Sequence, residues 1–262
     1  MGKRENYEPG TFCWVDLQTT DPAGAKTFYG ALFGWEAEDM PAGEAGTYTM
    51  FSLGGDDVCA MYAMDPAQRE QGTPSYWLSY VSVEDADATA ARARELGGTV
   101  YGEAFDVFDA GRMAIVGDPA GAMFVVWQPR AHIGAQRVND VGCMGWNELQ
   151  TRDPEAAGEF YGGLFGWEIH PIEDDGRVVY TTVKNEGSQN GGFMPMSEQH
   201  GEAPSFWLPY FTVSSRDGAV EKVQELGGTL LAGPLDLPAG KVAILADPQG
   251  GAFAVFEGET DE

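Results

Sequence analysis

The stretch that decides the fold runs from Trp14 to Trp35 and reads WVDLQTTDPAGAKTFYGALFGW. A second copy, WNELQTRDPEAAGEFYGGLFGW, runs from Trp146 to Trp167. Three shorter motifs repeat in the same order, namely PSYWLSY with PSFWLPY, ELGGTV with ELGGTL, and DPAG with DPQG. Chance does not produce matches of this length in the same order, and a repeat of this kind is the signature of duplicated structure. The chain therefore consists of two homologous halves.

Each copy of the long motif predicts a strand followed by a capped helix. Asp21 is a favourable N-cap, and Pro22 fits the first helical position. Apolar side chains then recur at helical spacing, at Ala25, Phe28, Tyr29, Leu32 and Phe33. Such a stripe faces a core, and Gly34 supplies the left-handed residue that ends a helix. Equivalent glycines predict the ends of three more helices, at Gly97, Gly166 and Gly227.

Short β-rich runs separate the helices. Four of them lie at 47–53, 58–62, 112–117 and 123–128, where alternating and β-branched residues favour strands. The DPAG and DPQG segments predict tight turns between strands, because Pro and Gly preset the backbone. Each half therefore reads βαβββ twice, and the fold class is α+β.

The length of 262 residues suits two domains of roughly 130 residues each. The segment from Gln128 to Cys143 lacks sustained periodicity and separates two segments that each begin with a Trp-containing strand. We predict a first domain at 1–132, a linker at 133–140 and a second domain at 141–262.

The net charge of −26 repels phosphate backbones and anionic lipid, so neither nucleic acid nor membrane is an expected partner. No apolar run approaches the length of a membrane span or resembles a signal peptide. Cys13, Cys59 and Cys143 are odd in number and widely spaced, which argues against a disulfide framework. These features predict a cytoplasmic protein whose cysteines are small core residues.

The strand, the DxxxxxxFYxxLFGW helix and the closing strands around DPxG resemble the vicinal oxygen chelate superfamily, which includes glyoxalases, bleomycin-resistance proteins and extradiol dioxygenases. More closely, the chain is similar to two-domain glyoxalase-like proteins of actinobacteria that are often labelled hydroxylases, a label that is not a demonstrated activity. The resemblance covers nearly all of both halves. It implies that two βαβββ modules in each half form an open half-barrel around a ligand cavity.

The resemblance also implies a test for metal. Enzymes of the family hold a divalent ion with His, Gln or Glu side chains on the first and last strands of each module. Here the corresponding places hold Trp14, Leu78 and Val125 in the first half, and Trp146, Leu208 and Ala254 in the second. None of these side chains ligates a metal, and the fourth strands offer no carboxylate or imidazole. No metal and no other cofactor is therefore expected, although an unorthodox site on Asp16 or Glu148 stays open.

Alternation along the first strand places Trp14, Asp16 and Gln18 on one face. The matching strand of the second half places Trp146, Glu148 and Gln150 likewise. A carboxylate in an apolar cavity has a raised pKa, as a general acid or base requires, so Asp16 and Glu148 are the candidate catalytic residues. The alternative is that each carboxylate binds backbone at a strand or domain interface.

Aromatic residues are predicted to complete the two ligand sites. Tyr80 and Tyr210 sit at matching strand positions, and Met123, Trp127, Phe253 or Phe256 should lie nearby. Such walls favour flat or apolar ligands, although core packing explains each residue singly.

Three other side chains have open roles. Arg112 and Lys241 occupy equivalent strand starts and predict either surface ion pairs or contacts with an anionic ligand group. His132, between the halves, either hydrogen-bonds across the interface or lines a pocket mouth.

Three hypotheses follow. The first is a metal-independent protein, monomeric or homodimeric, that binds an aromatic or hydrophobic metabolite. The second is a lyase, an isomerase or a tailoring enzyme of secondary metabolism that uses Asp16 or Glu148 as acid or base. The third is a structural or secreted interaction module whose cavities are filled by side chains.

Overall fold

The computed structural model describes residues 2–43, 46–201 and 203–260, which form two mixed β-sheets with helices packed on them. The strands of the first sheet are β1 (Phe12–Thr19), β2 (Glu36–Pro41), β3 (Thr47–Leu53), β4 (Asp56–Ala63), β5 (Tyr76–Ser82), β6 (Thr99–Val100), β7 (Phe105–Val107), β8 (Gly111–Gly117) and β9 (Met123–Pro129). Those of the second sheet are β10 (Met144–Thr151), β11 (Glu168–Asp174), β12 (Arg177–Asn185), β13 (Ser188–Pro195), β14 (Phe206–Thr212), β15 (Thr229–Leu237), β16 (Gly240–Ala246) and β17 (Ala252–Glu257). The α+β class and the twofold βαβββ pattern of each half are confirmed.

The helices are α1 (Pro22–Phe33), α2 (Pro66–Glu70), α3 (Ala86–Glu95), α4 (Pro154–Phe165) and α5 (Arg216–Glu225), with a 3-10 turn at Glu198–His200. The four predicted helices are present. The side chain of Asp21 caps α1 by accepting from the Gly24 backbone N–H, and Gly34 ends the helix at φ 75°. The sequence prediction missed α2, a single short turn capped by Asp65. In the described ranges no helix is long and apolar enough to cross a membrane.

Both sheets have the same order. In the first it is β2-β3-β4-β1-β5-β9-β8-β6, with β7 also paired to β8, and in the second it is β11-β12-β13-β10-β14-β17-β16-β15. The first strands of the two modules of each half are therefore antiparallel neighbours at the centre of the sheet. Trp14 lies opposite Tyr80 and Asp16 opposite Leu78, while Trp146 lies opposite Tyr210. This register places the candidate residues of both modules side by side.

The first sheet is curled rather than flat. Strands β2 and β7 lie at opposite ends of the strand order. Nevertheless, Cζ of Phe108, just beyond β7, lies 4.0 Å from the position that a Cβ would take on Gly43, just beyond β2. The two edges can meet only if the sheet bends around the space between them. We call the inward face of this sheet the first half-barrel, and the equivalent face of the second sheet the second half-barrel.

The outward faces of the two sheets share their cores. Phe28 and Tyr29 of α1 pack against Phe253 of β17, with ring centroids 6.3 and 5.7 Å apart. Reciprocally, Phe124 of β9 packs against Tyr161 of α4 at 5.5 Å. Each large cluster of buried residues combines side chains from both halves of the chain. The boundaries 1–132, 133–140 and 141–262 stay a prediction, and the cores extend across them.

Hydrogen bonds also connect the two halves of the chain. The indole N–H groups of Trp35 and Trp167 donate to the carbonyl oxygens of Gly142 and Gly10, each at 2.7 Å. Both tryptophans are buried, and both end a copy of the long sequence motif. The last residue of each copy therefore anchors the chain segment that leads into the first strand of the other half.

Each DPxG turn also forms a hydrogen bond with a side chain of the other half. Gly121 N–H donates to the Asp118 carbonyl and Gly250 N–H to that of Asp247, which confirms both tight turns. Each aspartate carboxylate is buried and accepts a tyrosine hydroxyl: Tyr29 donates to Asp247 at 2.9 Å and Tyr161 to Asp118 at 3.2 Å. Burial is the main cause that raises the pKa of Asp118 and of Asp247.

Replacing Tyr29 by Phe is expected to lower the free energy of unfolding by about 1–3 kcal/mol, because the buried Asp247 carboxylate then loses a donor. Tyr161→Phe should lower the free energy of unfolding by a similar amount, because the Asp118 carboxylate then loses its tyrosine donor. Urea unfolding followed by circular dichroism measures both effects. Tyr101→Phe, on a half-exposed side chain, is the control. The prediction would be contradicted if Tyr29→Phe lowered the free energy of unfolding no more than Tyr101→Phe does.

Candidate functional site

Strand β1 supplies the centre of the first half-barrel. Its alternation points Trp14, Asp16 and Gln18 to the inward face, as predicted from the sequence, and all three are buried. Across the strand pair, Tyr80 of β5 is also buried beside them. Tyr80 and Asp16 occupy equivalent positions in the two modules, so their side chains meet diagonally across the junction between the modules.

Asp16 is held by phenols on one oxygen only. Tyr80 donates to Asp16 Oδ2 at 2.5 Å, and Tyr48 donates to the same oxygen at 3.3 Å. Trp14 Nε1 in turn donates to the Tyr48 hydroxyl at 3.1 Å. The other oxygen, Oδ1, is buried and has no hydrogen-bond partner. The named partners of Asp16 are therefore side chains of the half-barrel, which differs from the alternative of a carboxylate bound to backbone.

Burial decides the protonation of this site. Loss of water around the carboxylate raises the pKa of Asp16 to about 7, although the bonds from Tyr80 and Tyr48 oppose the rise. Burial also raises the pKa of both tyrosines well above the ordinary value, with the nearby Asp16 charge as the next cause. Asp16 is thus the group of this cluster that changes charge near neutral pH.

His132 belongs to the first half-barrel, although it lies on no strand. Its ring meets Trp14 edge-on at 4.7 Å and Trp127 at 6.1 Å, and its carbonyl accepts the Trp127 indole N–H at 2.9 Å. Desolvation lowers the pKa of His132, and its buried Nε2 has no partner. Of the two sequence alternatives, the pocket-lining role fits this position. Its tryptophan neighbours were predicted site residues, but no sequence pattern linked His132 to them.

Aromatic contacts and hydrogen bonds link these residues into a closed circuit. The ring centroids of Tyr80 and Trp127 lie 6.3 Å apart, and the His132 ring contacts both Trp127 and Trp14. Trp14 donates to Tyr48, and Tyr48 and Tyr80 both donate to Asp16. Two buried polar atoms without a hydrogen-bond partner, Asp16 Oδ1 and His132 Nε2, belong to members of this circuit. Such an arrangement can bind a flat molecule by its faces and a polar substituent by the two unpaired atoms.

The second half-barrel repeats the carboxylate and its phenols. Glu148 Oε1 accepts the Tyr210 hydroxyl at 2.7 Å and the Gln150 amide at 2.6 Å. Trp146 donates to the Tyr180 hydroxyl at 3.0 Å. Desolvation raises the pKa of Glu148, and hydrogen bonds from Tyr210, Tyr180 and Gln150 oppose the rise. The structure thus brings together the predicted residues Trp146, Glu148, Gln150 and Tyr210.

The two half-barrels differ in how far their aromatic walls are covered. Trp14 and Trp127 are 3% and 5% exposed, whereas Trp146 and Phe256 at the equivalent positions are half-buried. Phe253 does not lie on this wall. Strand alternation turns it to the outward face, where it packs on Phe28 and Tyr29, so its expected place near the cavity was wrong.

The paired cations lie in ion pairs. Arg112 binds Asp87 and Asp106 at 2.6 and 3.1 Å, and Lys241 binds Glu257 at 2.7 Å. The sequence alternative of surface ion pairing is therefore the arrangement observed.

The ligand places of family metalloenzymes do not fit a metal in this chain. In the first sheet these places hold Trp14 of β1, Leu78 of β5 and Val125 of β9. In the second sheet they hold Trp146 of β10, Leu208 of β14 and Ala254 of β17. Across residues 2–43, 46–201 and 203–260, no three His, Cys, Asp or Glu side chains cluster as a metal site. No chemical step is therefore derived through a metal.

Two surface pockets adjoin these structures. One, of about 490 Å³, is lined by His132, Asp56, Asp57 and the N-terminal Lys3 and Arg4 among others. It lies outside the half-barrel and reaches it at His132. The other, of about 410 Å³, lies where Phe28 of α1 meets Leu226 and Pro248 of the other half.

Comparison with known proteins defines the class. Residues 11–126 match the glyoxalase/bleomycin resistance protein/dioxygenase superfamily, and residues 146–256 match the glyoxalase-like domain family. The chain belongs to the glyoxalase/bleomycin resistance protein/dioxygenase superfamily and carries two of its domains in tandem.

Similar curated proteins match over nearly the full length. "Putative glyoxylase CFP32" from Mycobacterium tuberculosis is 41% identical over 261 residues, covering 98% of each chain. "Anthracycline biosynthesis protein DnrV" from Streptomyces peucetius is 34% identical, covering 96% of this chain and 94% of the relative. Both relatives therefore align with the two halves of this chain.

Solved structures share the fold at low identity. The Mn(II)-bound glyoxalase from Novosphingobium aromaticivorans superposes with a TM-score of 0.66 at 14% identity, covering 100% of this chain and 86% of that one. The 2,3-dioxygenase LapB from Pseudomonas sp. KL28 gives 0.66 at 12% identity, covering 95% and 94%. At these identities the likeness establishes the fold alone.

Proposed function

We propose that this protein binds an aromatic or hydrophobic small molecule in its half-barrels without a metal ion. The observation that carries the proposal is the row of residues at the family's ligand places. Those places hold indole and aliphatic side chains, which cannot ligate a cation, and the indoles present flat apolar surface. Pockets of this kind, apolar with a few directed polar groups, are typical of small-molecule sites.

The second half-barrel offers the more accessible wall. Trp146 and Phe256 are half-buried there, and Phe206 and Ile244 join the same cluster of apolar side chains. Glu148 and Gln150 lie buried at the base. These aromatic residues argue against the hypothesis of a purely structural module with filled cavities, because Trp146 and Phe256 stay partly in contact with solvent.

The names of the relatives point the same way. One is described as a glyoxylase and another as an anthracycline biosynthesis protein, and both descriptions concern small organic molecules. The acidic charge of −26 argues against nucleic acid as a partner. We further propose a cytoplasmic monomer or homodimer, since Cys13, Cys59 and Cys143 are buried free thiols.

Titration of the EDTA-dialysed protein with indane, naphthalene and biphenyl tests the proposal. We expect saturable binding of at least one probe, with an affinity unchanged by added Mn²⁺. Trp146→Ala should weaken binding about tenfold, the equivalent of about 1.4 kcal/mol for a lost aromatic wall. Isothermal titration calorimetry measures the affinity for each probe, the effect of Mn²⁺ on it and the effect of Trp146→Ala on it. Binding that appears only after Mn²⁺ is added would contradict metal independence.

An enzymatic role is a second candidate because of one observation. Asp16 is a buried carboxyl whose pKa is raised to about 7, which suits a general acid or base at neutral pH. The reaction would be that of a lyase, an isomerase or a tailoring enzyme of secondary metabolism, with Asp16 or Glu148 exchanging the proton.

A screen of 2-oxoaldehydes and anthracyclines tests this role. Where turnover is found, Asp16→Asn or Glu148→Gln should reduce kcat about 100-fold or more, as loss of a general acid or base does. Stopped assays across pH 5–9 should show a change of rate near pH 7 if Asp16 is the group. Full turnover in the double variant would exclude both residues.

A further inference from the structure

The two oxygens of Asp16 are used unequally. Oδ2 accepts two hydrogen bonds, from Tyr80 at 2.5 Å and Tyr48 at 3.3 Å. Oδ1 is buried in the same half-barrel and has no partner. Asp16 as a whole is fully buried. A buried polar atom without a partner costs free energy, so the site is incomplete as it stands.

This asymmetry fixes where the proton of the neutral acid lies. Tyr80 and Tyr48 both donate to Oδ2, so Oδ2 acts as an acceptor. A proton on the carboxyl is therefore placed on Oδ1, where the O–H is a donor with nothing to receive it. The missing partner is an acceptor, and the apolar aromatic surroundings of Asp16 favour a neutral acceptor over an anion.

We infer that the first half-barrel binds a flat molecule bearing a carbonyl oxygen, which accepts a hydrogen bond from Oδ1 of the neutral Asp16 carboxylic acid. Trp14, Trp127 and Tyr80 provide the walls for the ring system. The inference rests on the proposed function and names the ligand class for this half-barrel.

Asp16 is surrounded by titratable groups whose pKa values are shifted away from neutral pH. Those that face it are Tyr48 of β3, Cys59 and Tyr62 of β4, Tyr76 and Tyr80 of β5, and His132 beyond Trp14. Burial raises the pKa of each of these tyrosines and of Cys59. It lowers the pKa of His132. From pH 6.0 to 8.5 the tyrosines and Cys59 stay neutral while Asp16 loses its proton.

A surface pocket lies next to the site at His132. It has a volume of about 490 Å³ and is lined by residues 131–134 of the segment between the halves. His132 separates this pocket from Trp14, and its unpartnered Nε2 can bind a second polar group on the ligand.

Matched probes test the inference. 1-Indanone and indane have the same ring skeleton and differ in the carbonyl group. Calorimetric titration of the full chain should show indanone binding about tenfold more tightly than indane at pH 6.0. At pH 8.5 this preference should disappear, because ionised Asp16 has no proton to donate. Asp16→Asn should bind indanone equally at both pH values, since its amide donates throughout.

Glu103→Gln, at an exposed carboxylate, is the control and should keep the wild-type pH dependence. If Asp16→Asn does not fold, the preference of the wild-type protein at the two pH values decides alone. Equal affinity for both probes at pH 6.0 overturns the carbonyl inference and leaves the proposed function standing. No saturable binding of indane, indanone, naphthalene or biphenyl overturns both.

Discussion

Separating the chain between Asp140 and Val141 is expected to abolish cooperative folding of each half alone. In the intact protein Phe28, Tyr29 and Trp35 of the first half are buried against Phe211 and Phe253 of the second. Exposing three such side chains costs roughly 6 kcal/mol, which is comparable to the whole stability of a domain, about 5–15 kcal/mol. Thermal unfolding of fragments 1–140 and 141–262 measures the effect.

Mixing the two fragments is the matched control. Because the shared cores and the indole bonds of Trp35 and Trp167 need both partners, the mixture should regain the cooperative transition. A monomeric 1–140 fragment that unfolds cooperatively at the temperature of the full chain would refute the prediction. Analytical ultracentrifugation establishes whether the fragment is monomeric.

The second large effect is a pH-dependent stability that Asp16 imposes. In the folded protein its pKa is raised from 3.8 to about 7, whereas the unfolded chain has the ordinary value. Between these values the folded state holds a proton that the unfolded state has released. Stability therefore decreases as pH rises from about 4 to about 7 and then levels off. At about 1.4 kcal/mol per pKa unit, the loss amounts to about 4 kcal/mol.

Asp16→Asn removes this titration while keeping the shape of the side chain. The difference in unfolding free energy between Asp16→Asn and the wild-type protein should therefore shift by about 3 kcal/mol in favour of the variant from pH 4.5 to 8.5, because part of the titration lies below pH 4.5. Urea unfolding at five pH values measures it. Taking the difference between the two proteins cancels the contributions of Asp118, Asp247 and Glu148 to the pH dependence, since their pKa values are also raised. A difference that does not change with pH would contradict the assignment.

Much of the fold follows from local patterns in the sequence. The N-cap at Asp21 and the left-handed Gly34 fix the ends of α1, because capping depends on residues a few positions apart. Alternation placed Asp16 beside Trp14 and Gln18 on one face of β1 for the same reason. The wrong placement of Phe253 shows the limit, since β17 is covered on its outward face by a helix from the other half.

The functional details depend on contacts between distant residues. His132 reaches Trp14 only through the path of the segment between the halves, which has no periodicity to predict it. The tyrosines of the long motif read as core residues of their own half, yet Tyr29 donates to Asp247. A single sequence carries no signal for such pairs, because each partner has an ordinary local role.

The sequence by itself determined the duplication and the four βαβββ modules, because these depend on residue type and short-range spacing. Through the family resemblance it also predicted that non-ligating side chains occupy the family's metal-ligand places. The tertiary structure alone decided that the halves share their cores, that His132 joins the first half-barrel, and that one oxygen of Asp16 lacks a partner. Each of these results from the way strands and helices far apart in the chain pack together, and packing of that kind determines which polar atoms are satisfied.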